Sequence, residues 1–149
     1  MTLKDRINED LKNAMKNKDA LLTETLRSIR AEILKMDKSG LGREINEEEE
    51  IQILSRLAKM RKESIEAFEK AGRTDLAEKE KLELAIIQKY LPEQMSAEEA
   101  SQIIDKILQQ LGATSQKDFG RVMGAAMKEL KGKIDGKIVQ ELVKSKLNN

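Results

Sequence analysis

Residues 119–137 gather most of what this chain offers to chemistry. Arg121, Lys128, Lys131, Lys133 and Lys137 set five cations on a short stretch that also holds Gly120, Gly124, Gly132 and Gly136. The combination suits phosphate: the cations supply charge, and glycine lets backbone and ligand approach closely. Phe119, Val122, Met123, Ala126, Met127 and Leu130 recur at the spacing of one helix face, which puts Gly120 and Gly124 inside a helix, where each costs about 1 kcal/mol relative to Ala. Four apart, they share a face that leads toward Lys128 and Lys131. That face admits a phosphate or another helix at close range, and plain helix packing is the competing reading because small residues permit it too.

Other chemistries are poorly served. The chain contains no His and no Cys, which removes the commonest general base, thiolate nucleophiles, Cys-ligated zinc and every Ser-His or Cys-His arrangement. Gly132-Lys133 and Gly136-Lys137 resemble phosphate-loop fragments, but no Gly-x-x-x-x-Gly-Lys-[Ser/Thr] is present, and no Ser-x-x-Lys occurs either. Glu47-Glu48-Glu49-Glu50 follows Asn46 and reads as a dipole-complementing first helical turn rather than a metal site. Arg61 interrupts the apolar stripe of Leu54, Leu57, Ala58, Ile65 and Phe68, and Glu80 and Glu83 interrupt the next one. These three predict an ion pair between neighbouring helices, with carboxylate acid-base work as the alternative. No catalytic residue, metal or cofactor is assigned.

The supporting scaffold reads as all-α. Charged residues make up 37% of the chain and aromatics 2%, with a single proline, the profile of helices packed around an aliphatic core. Leu3, Ile7, Leu11 and Ala14 mark a first helix ending near Asn17-Lys18-Asp19. Leu22, Leu26, Ile29 and Ile33 mark a second, stopped by Ser39-Gly40-Leu41-Gly42. A third runs from Asn46 to the Ala71-Gly72 stop. A fourth opens at Arg73-Thr74-Asp75-Leu76, with Leu76, Leu84, Ile87 and Leu91 inward, and ends before Pro92. Ser96-Ala97-Glu98-Glu99 predicts a capping box for a fifth helix bearing Ala100, Ile103, Ile104, Ile107, Leu108 and Leu111 up to Gly112. The glycine-bearing helix, stopped at Gly132, and a last helix capped by Asp135 and carrying Ile138, Val139, Leu142 and Leu147 complete the chain. The expected organisation is a four-helix N-terminal domain, 1–94, and a three-helix C-terminal domain, 95–149.

Net charge is only +1, but residues 1–39, 40–100 and 101–149 sum to +2, −5 and +4. That asymmetry hints at a nucleic-acid-facing C-terminal part, with a solvated helix surface as the plain alternative. With so few aromatics, base stacking is disfavoured and contacts by Lys, Arg and backbone N–H to phosphate and 2′-hydroxyl groups remain. The charge-alternating N-terminus lacks a signal-peptide core, and no later run is apolar enough to span a bilayer. A soluble, cytoplasmic protein without a membrane partner is expected.

Two sets of residues carry a family resemblance. Gly124, Met127, Lys128, Gly132, Lys133, Asp135 and Lys137, followed by Val139-x-x-Leu142, resemble the tail domain of GatB, the B subunit of the glutamine-dependent aminoacyl-tRNA amidotransferase. Arg61-Lys62-x-Ser64, Gly72-Arg73-x-Asp75-Leu76, Glu80, Glu83 and Tyr90-Leu91-Pro92 are similar to the stand-alone YqeY-like proteins, and this likeness covers essentially the whole chain. What the resemblance implies is a helical module that helps grip tRNA, without the glutamine-hydrolysing or ATP-dependent parts of the amidotransferase. One position departs from the tail motif: Gly136 stands where proline is common before the last lysine, which leaves that helix start less rigid.

The expectation is therefore a non-catalytic accessory module that binds tRNA or a tRNA-handling protein through Arg121, Lys128, Lys131, Lys133 and Lys137, with no DNA partner. Two alternatives stand beside it. One is a partner-dependent component of a carbon-nitrogen ligase with glutamine as amide donor; the other is a protein-protein interaction module docking a helix on the glycine face.

Overall fold

The computed structural model describes residues 1–38, 40 and 42–147. They form seven α-helices and one 3-10 turn, with no strand among the described residues: α1 Leu3–Lys16, α2 Ala20–Asp37, α3 Glu47–Lys70, α4 Thr74–Gln88, α5 Ala97–Leu111, the turn Gln116–Asp118, α6 Phe119–Leu130 and α7 Gly136–Lys146. The fold is all-α. Two compact units divide the chain, Met1–Leu91 and Pro92–Asn149. The sequence puts its break after residue 94; the segment from Pro92 belongs with the second unit because Gln94 and Met95 hydrogen-bond to residues 132 and 133.

Unit 1 packs α1 along α2 and α3 along α4. Ile7, Leu26, Ile29, Ile33, Leu54 and Ile87 are almost wholly buried in its core, at about 1.5–3 kcal/mol of transfer free energy for each large side chain. Local chemistry starts and stops the helices. The Thr2 hydroxyl accepts the Asp5 N–H and the Asp5 carboxylate accepts the Thr2 N–H, and Asn46 and Glu49 repeat this box for α3. Glu50, from the same acidic run, turns away from its own helix and accepts the Leu3 N–H at 2.6 Å, so one run serves the N-termini of two helices. After α2, Gly40 and Gly42 hold φ of +90° and +67°; Ser39 and Leu41, the rest of that stop, lie outside the described residues.

α4 departs most from simple patterning. Its buried positions are Ala77, Glu83 and Ile87, while Leu76 and Leu84 are half-buried and Leu82 is exposed. A carboxylate occupies a core position because Arg61 of α3 reaches it. Arg61 Nε lies 2.8 Å from Glu83 Oε2 and 3.5 Å from Glu80 Oε2, and the Arg61 side chain is only 18% exposed. Neither Arg61 Nε nor Glu80 Oε2 forms a well-aligned hydrogen bond, so charge rather than hydrogen-bond geometry holds this triad.

At the end of unit 1 the Tyr90 hydroxyl donates a short hydrogen bond to Asp10, and the Arg6 guanidinium stands 5.1 Å from the ring centroid. Burial, then the Asp10 carboxylate, pushes the Tyr90 hydroxyl well above the usual tyrosine range. This clamp fastens the exit of α4 to α1.

Unit 2 is a three-helix assembly around Ile104, Val122, Ala126, Leu130, Val139 and Val143. Ser96 accepts the Glu99 N–H, but Glu99 returns to the Ser96 hydroxyl rather than to its N–H, so the capping box is half formed. Ile138, expected inward, is 37% exposed, and Val143 is fully buried. Among the described residues no helix is long and apolar enough to cross a membrane.

Candidate nucleic-acid interface

Three elements position the cations singled out by the sequence. Lys128 projects from the last turn of α6, Lys131 and Lys133 belong to the turn after it, and Lys137 lies in the first turn of α7. Lys128 and Lys137 are exposed, whereas Lys131 and Lys133 are half-buried. Arg121 stands apart, seven residues before Lys128 and so about 10 Å away along the helix. It is also engaged: Nη2 donates to the Leu111 carbonyl at 3.2 Å and to Asp118 Oδ1 at 3.1 Å. The structure therefore assembles four lysines at the α6–α7 corner and gives Arg121 a local bracing role.

Asp118 anchors that brace. The Thr114 N–H first, then the Ser115 N–H and the Arg121 guanidinium, hold its carboxyl below the usual carboxylate range.

The glycines divide by role. Gly132 has φ of +78°, a left-handed geometry that lets the chain leave α6. Apart from its chain neighbours and the backbone of its own helix, a Cβ on Gly120 or Gly124 meets no atom within 4 Å, and both residues are exposed. Packing inside the chain thus does not account for them. The face is open, with Met123 and Met127 half-buried on one side and the exposed Lys128 on the other. Gly136 is the first residue of α7, and a Cβ there would sit 3.7 Å from the Met127 methyl, an ordinary contact.

Two electrostatic features limit what this corner does. Asp135 caps α7 by accepting the Lys137 N–H at 3.0 Å, so the helix N-terminus is occupied by its own carboxylate rather than open to an anion. Unit 2 as a whole is close to neutral, with nine Lys and Arg against eight Asp and Glu. The basic excess seen in residues 101–149 shrinks to +1 once Glu93, Glu98 and Glu99 are counted with their unit, and what is left is a local concentration at the corner.

Sequence reasoning missed the residues that hold the corner in shape. Gln94 Nε2 donates to the Gly132 carbonyl at 2.8 Å, and the Met95 N–H donates to the Lys133 carbonyl at 2.7 Å. At the other end of the unit, Gln116 Nε2 donates to the carbonyls of Lys144 and Leu147. No local pattern announces either glutamine. Elsewhere, a depression of about 230 Å³ beside Tyr90 is lined by Asp10, Asn13, Asn17, Asp19 and Lys89; of these, Asp19 already caps α2 and Asp10 holds the tyrosine clamp. Among the described residues no acidic cluster has the make-up of a metal site.

Related sequences occur among known proteins. The chain is 32% identical over 149 residues to the Altered inheritance of mitochondria protein 41, mitochondrial, of Pyrenophora tritici-repentis, covering 95% of this chain and 81% of that protein. The protein of the same name from Eremothecium gossypii is 36% identical, over 72% of this chain and 60% of its own length. A subunit of the Glutamyl-tRNA(Gln) amidotransferase of Thermococcus gammatolerans is 30% identical over 95% of this chain but only 25% of its own length. The fungal relatives correct the cytoplasmic expectation, since they are named as mitochondrial proteins. An absence of cysteine excludes a disulfide framework and says nothing further about compartment. The family profile described as Yqey-like protein matches residues 4–147, nearly every residue of the seven helices, and the chain therefore belongs to the YqeY-like family.

Proposed function

We propose that this protein is a non-catalytic accessory module that engages tRNA through the α6–α7 corner, with Lys128, Lys131, Lys133 and Lys137 contacting phosphates. The observation that carries the reading is the match to a tRNA amidotransferase subunit over 95% of this chain and a quarter of that larger protein. Such coverage describes a module, and the module has neither histidine nor cysteine with which to build the usual nucleophilic or zinc sites. The corner supplies side-chain cations beside an open glycine face, which allows close approach of a polyanionic backbone. Shape and phosphate contacts would dominate, because the unit's aromatic residue, Phe119, is half-buried against the core. A role as a partner-dependent component of a carbon-nitrogen ligase follows from the same likeness, with the chemistry residing in the partner.

The test is a salt titration of tRNA binding by the full chain and by the Lys128→Gln/Lys131→Gln/Lys133→Gln variant. Loss of three phosphate contacts flattens the dependence of log affinity on log salt by about 2–3 and weakens binding alike across tRNA sequences. Helicity should not change. Unaltered affinity and slope would remove the corner from consideration, and salt-insensitive capture of a tRNA-handling protein in place of RNA would favour protein docking on the glycine face.

A further inference from the structure

The turn that carries Lys131 and Lys133 is not held by its own residues alone. Gln94, on the segment leading into α5, spans two carbonyls with one amide nitrogen: Nε2 lies 2.8 Å from Pro92 O and 2.8 Å from Gly132 O. Both partners are acceptors, so the amide orientation is fixed and both N–H bonds are used. The next residue adds a backbone link, Met95 N–H to Lys133 O at 2.7 Å, and the Met95 side chain packs against the unit 2 core. Inside the turn, Lys131 N–H returns to Met127 O and Lys133 N–H to Leu130 O. Gly132 and Lys133 thus present their carbonyls to a strand of chain almost forty residues earlier.

We propose that Pro92–Met95 is a strap that fixes the Gly132–Lys133 turn, and that Gln94 is a positioning residue for the lysines of the corner; this rests on the proposed tRNA binding. Gln94 carries no charge and contacts no ligand in this role. It removes backbone freedom from the turn, so that Lys131 and Lys133 meet phosphates without the turn first having to be ordered. The strap also links the start of α5 to the corner, so a change at the entry to unit 2 is transmitted to its cationic turn through two hydrogen bonds.

Gln94→Met keeps the length of the side chain and deletes the donor. In the full chain it should speed amide hydrogen exchange at Met95 and weaken tRNA binding, each by about five- to tenfold, the equivalent of one lost hydrogen bond. Because no charge is removed, the salt slope should stay near that of the unaltered protein, in contrast to the lysine variant. Gln94→Glu sets a carboxylate against two carbonyls and should weaken binding further. Unchanged exchange at Met95 would overturn the strap. Faster exchange with unchanged tRNA affinity would overturn the positioning role and leave a purely structural bond. Failure of the unaltered chain to bind tRNA in a salt-dependent way would overturn the functional reading, and the positioning role with it, an outcome distinct from both because it is read before any substitution.

Discussion

The two units hold their helices together by different chemistry. Unit 1 joins them with opposite charges: Lys4 with Asp37, Arg56 with Glu32, Arg61 with Glu80 and Glu83, Lys79 with Glu24, and Lys81 with Glu69. Unit 2 leans on side-chain amides aimed at the carbonyls of turns and helix ends, Gln94 on Gly132 and Gln116 on Lys144 and Leu147, with Lys146–Asp105 as a cross-helix ion pair. Charge thus has different uses in the two. In unit 1 opposite charges bridge neighbouring helices; in unit 2 neutral donors do much of the fastening, and Lys128 and Lys137 stand exposed at the corner. Exposed pairs are worth little individually, typically about 0–1 kcal/mol, so the weight of the contrast falls on the buried triad and on the glutamines.

The hardest blow to unit 1 is Arg61→Met. It strands Glu83, which is 6% exposed, and should cost about 3 kcal/mol or more, read as a lower urea midpoint. Glu83→Gln added to Arg61→Met should recover part of that loss, and the coupling should exceed that with Glu80, since the approach is 2.8 Å against 3.5 Å. Additive effects would mean that the triad does not fasten α3 to α4 and would erase half of the comparison. For unit 2 the matching change is Gln116→Ala, which removes the donor facing two carbonyls and should destabilise by about 1–2 kcal/mol, with exchange rising first at the end of α7. A loss as large as that of Arg61→Met would show that amide fastening is no lighter than charge.

The smallest expected effect has the opposite sign. Since the space over Gly124 is open, Gly124→Ala should stabilise unit 2 by about 0.5–1 kcal/mol through helix propensity. If the same variant loses tRNA affinity, the glycine is kept for the partner's approach; a more stable variant that binds as before would leave the open face without a purpose.

What was legible in the sequence was local. The apolar periodicities mark out the helices, Asn46 and Asp135 sit at the caps their neighbours require, and Arg61, Glu80 and Glu83 are conspicuous because each breaks an apolar stripe. What was hidden was non-local. Glu50 reads as one more carboxylate in its own first turn, yet it binds the N–H of Leu3, 47 positions away. Gln94 and Gln116 look like solvent-facing glutamines until residues 38 and 31 positions distant arrive beside them. Charge totals misled for a related reason, because blocks cut along the sequence separated Glu93, Glu98 and Glu99 from the lysines with which they fold. The open faces of Gly120 and Gly124 also needed coordinates, since small-residue spacing is the same whether a neighbour is present or not.

Tyr90 has one further consequence. It is the single tyrosine of a chain without tryptophan, and it sits in the clamp with Asp10 and Arg6 at the end of unit 1. All tyrosine emission of the protein therefore originates in one unit, from a fluorophore whose hydroxyl is tied to a carboxylate of α1. Tyrosine fluorescence is a private reporter of unit 1, blind to the three helices that carry the lysine corner, while circular dichroism sums over both. Different midpoints for the two signals would show that the units unfold separately.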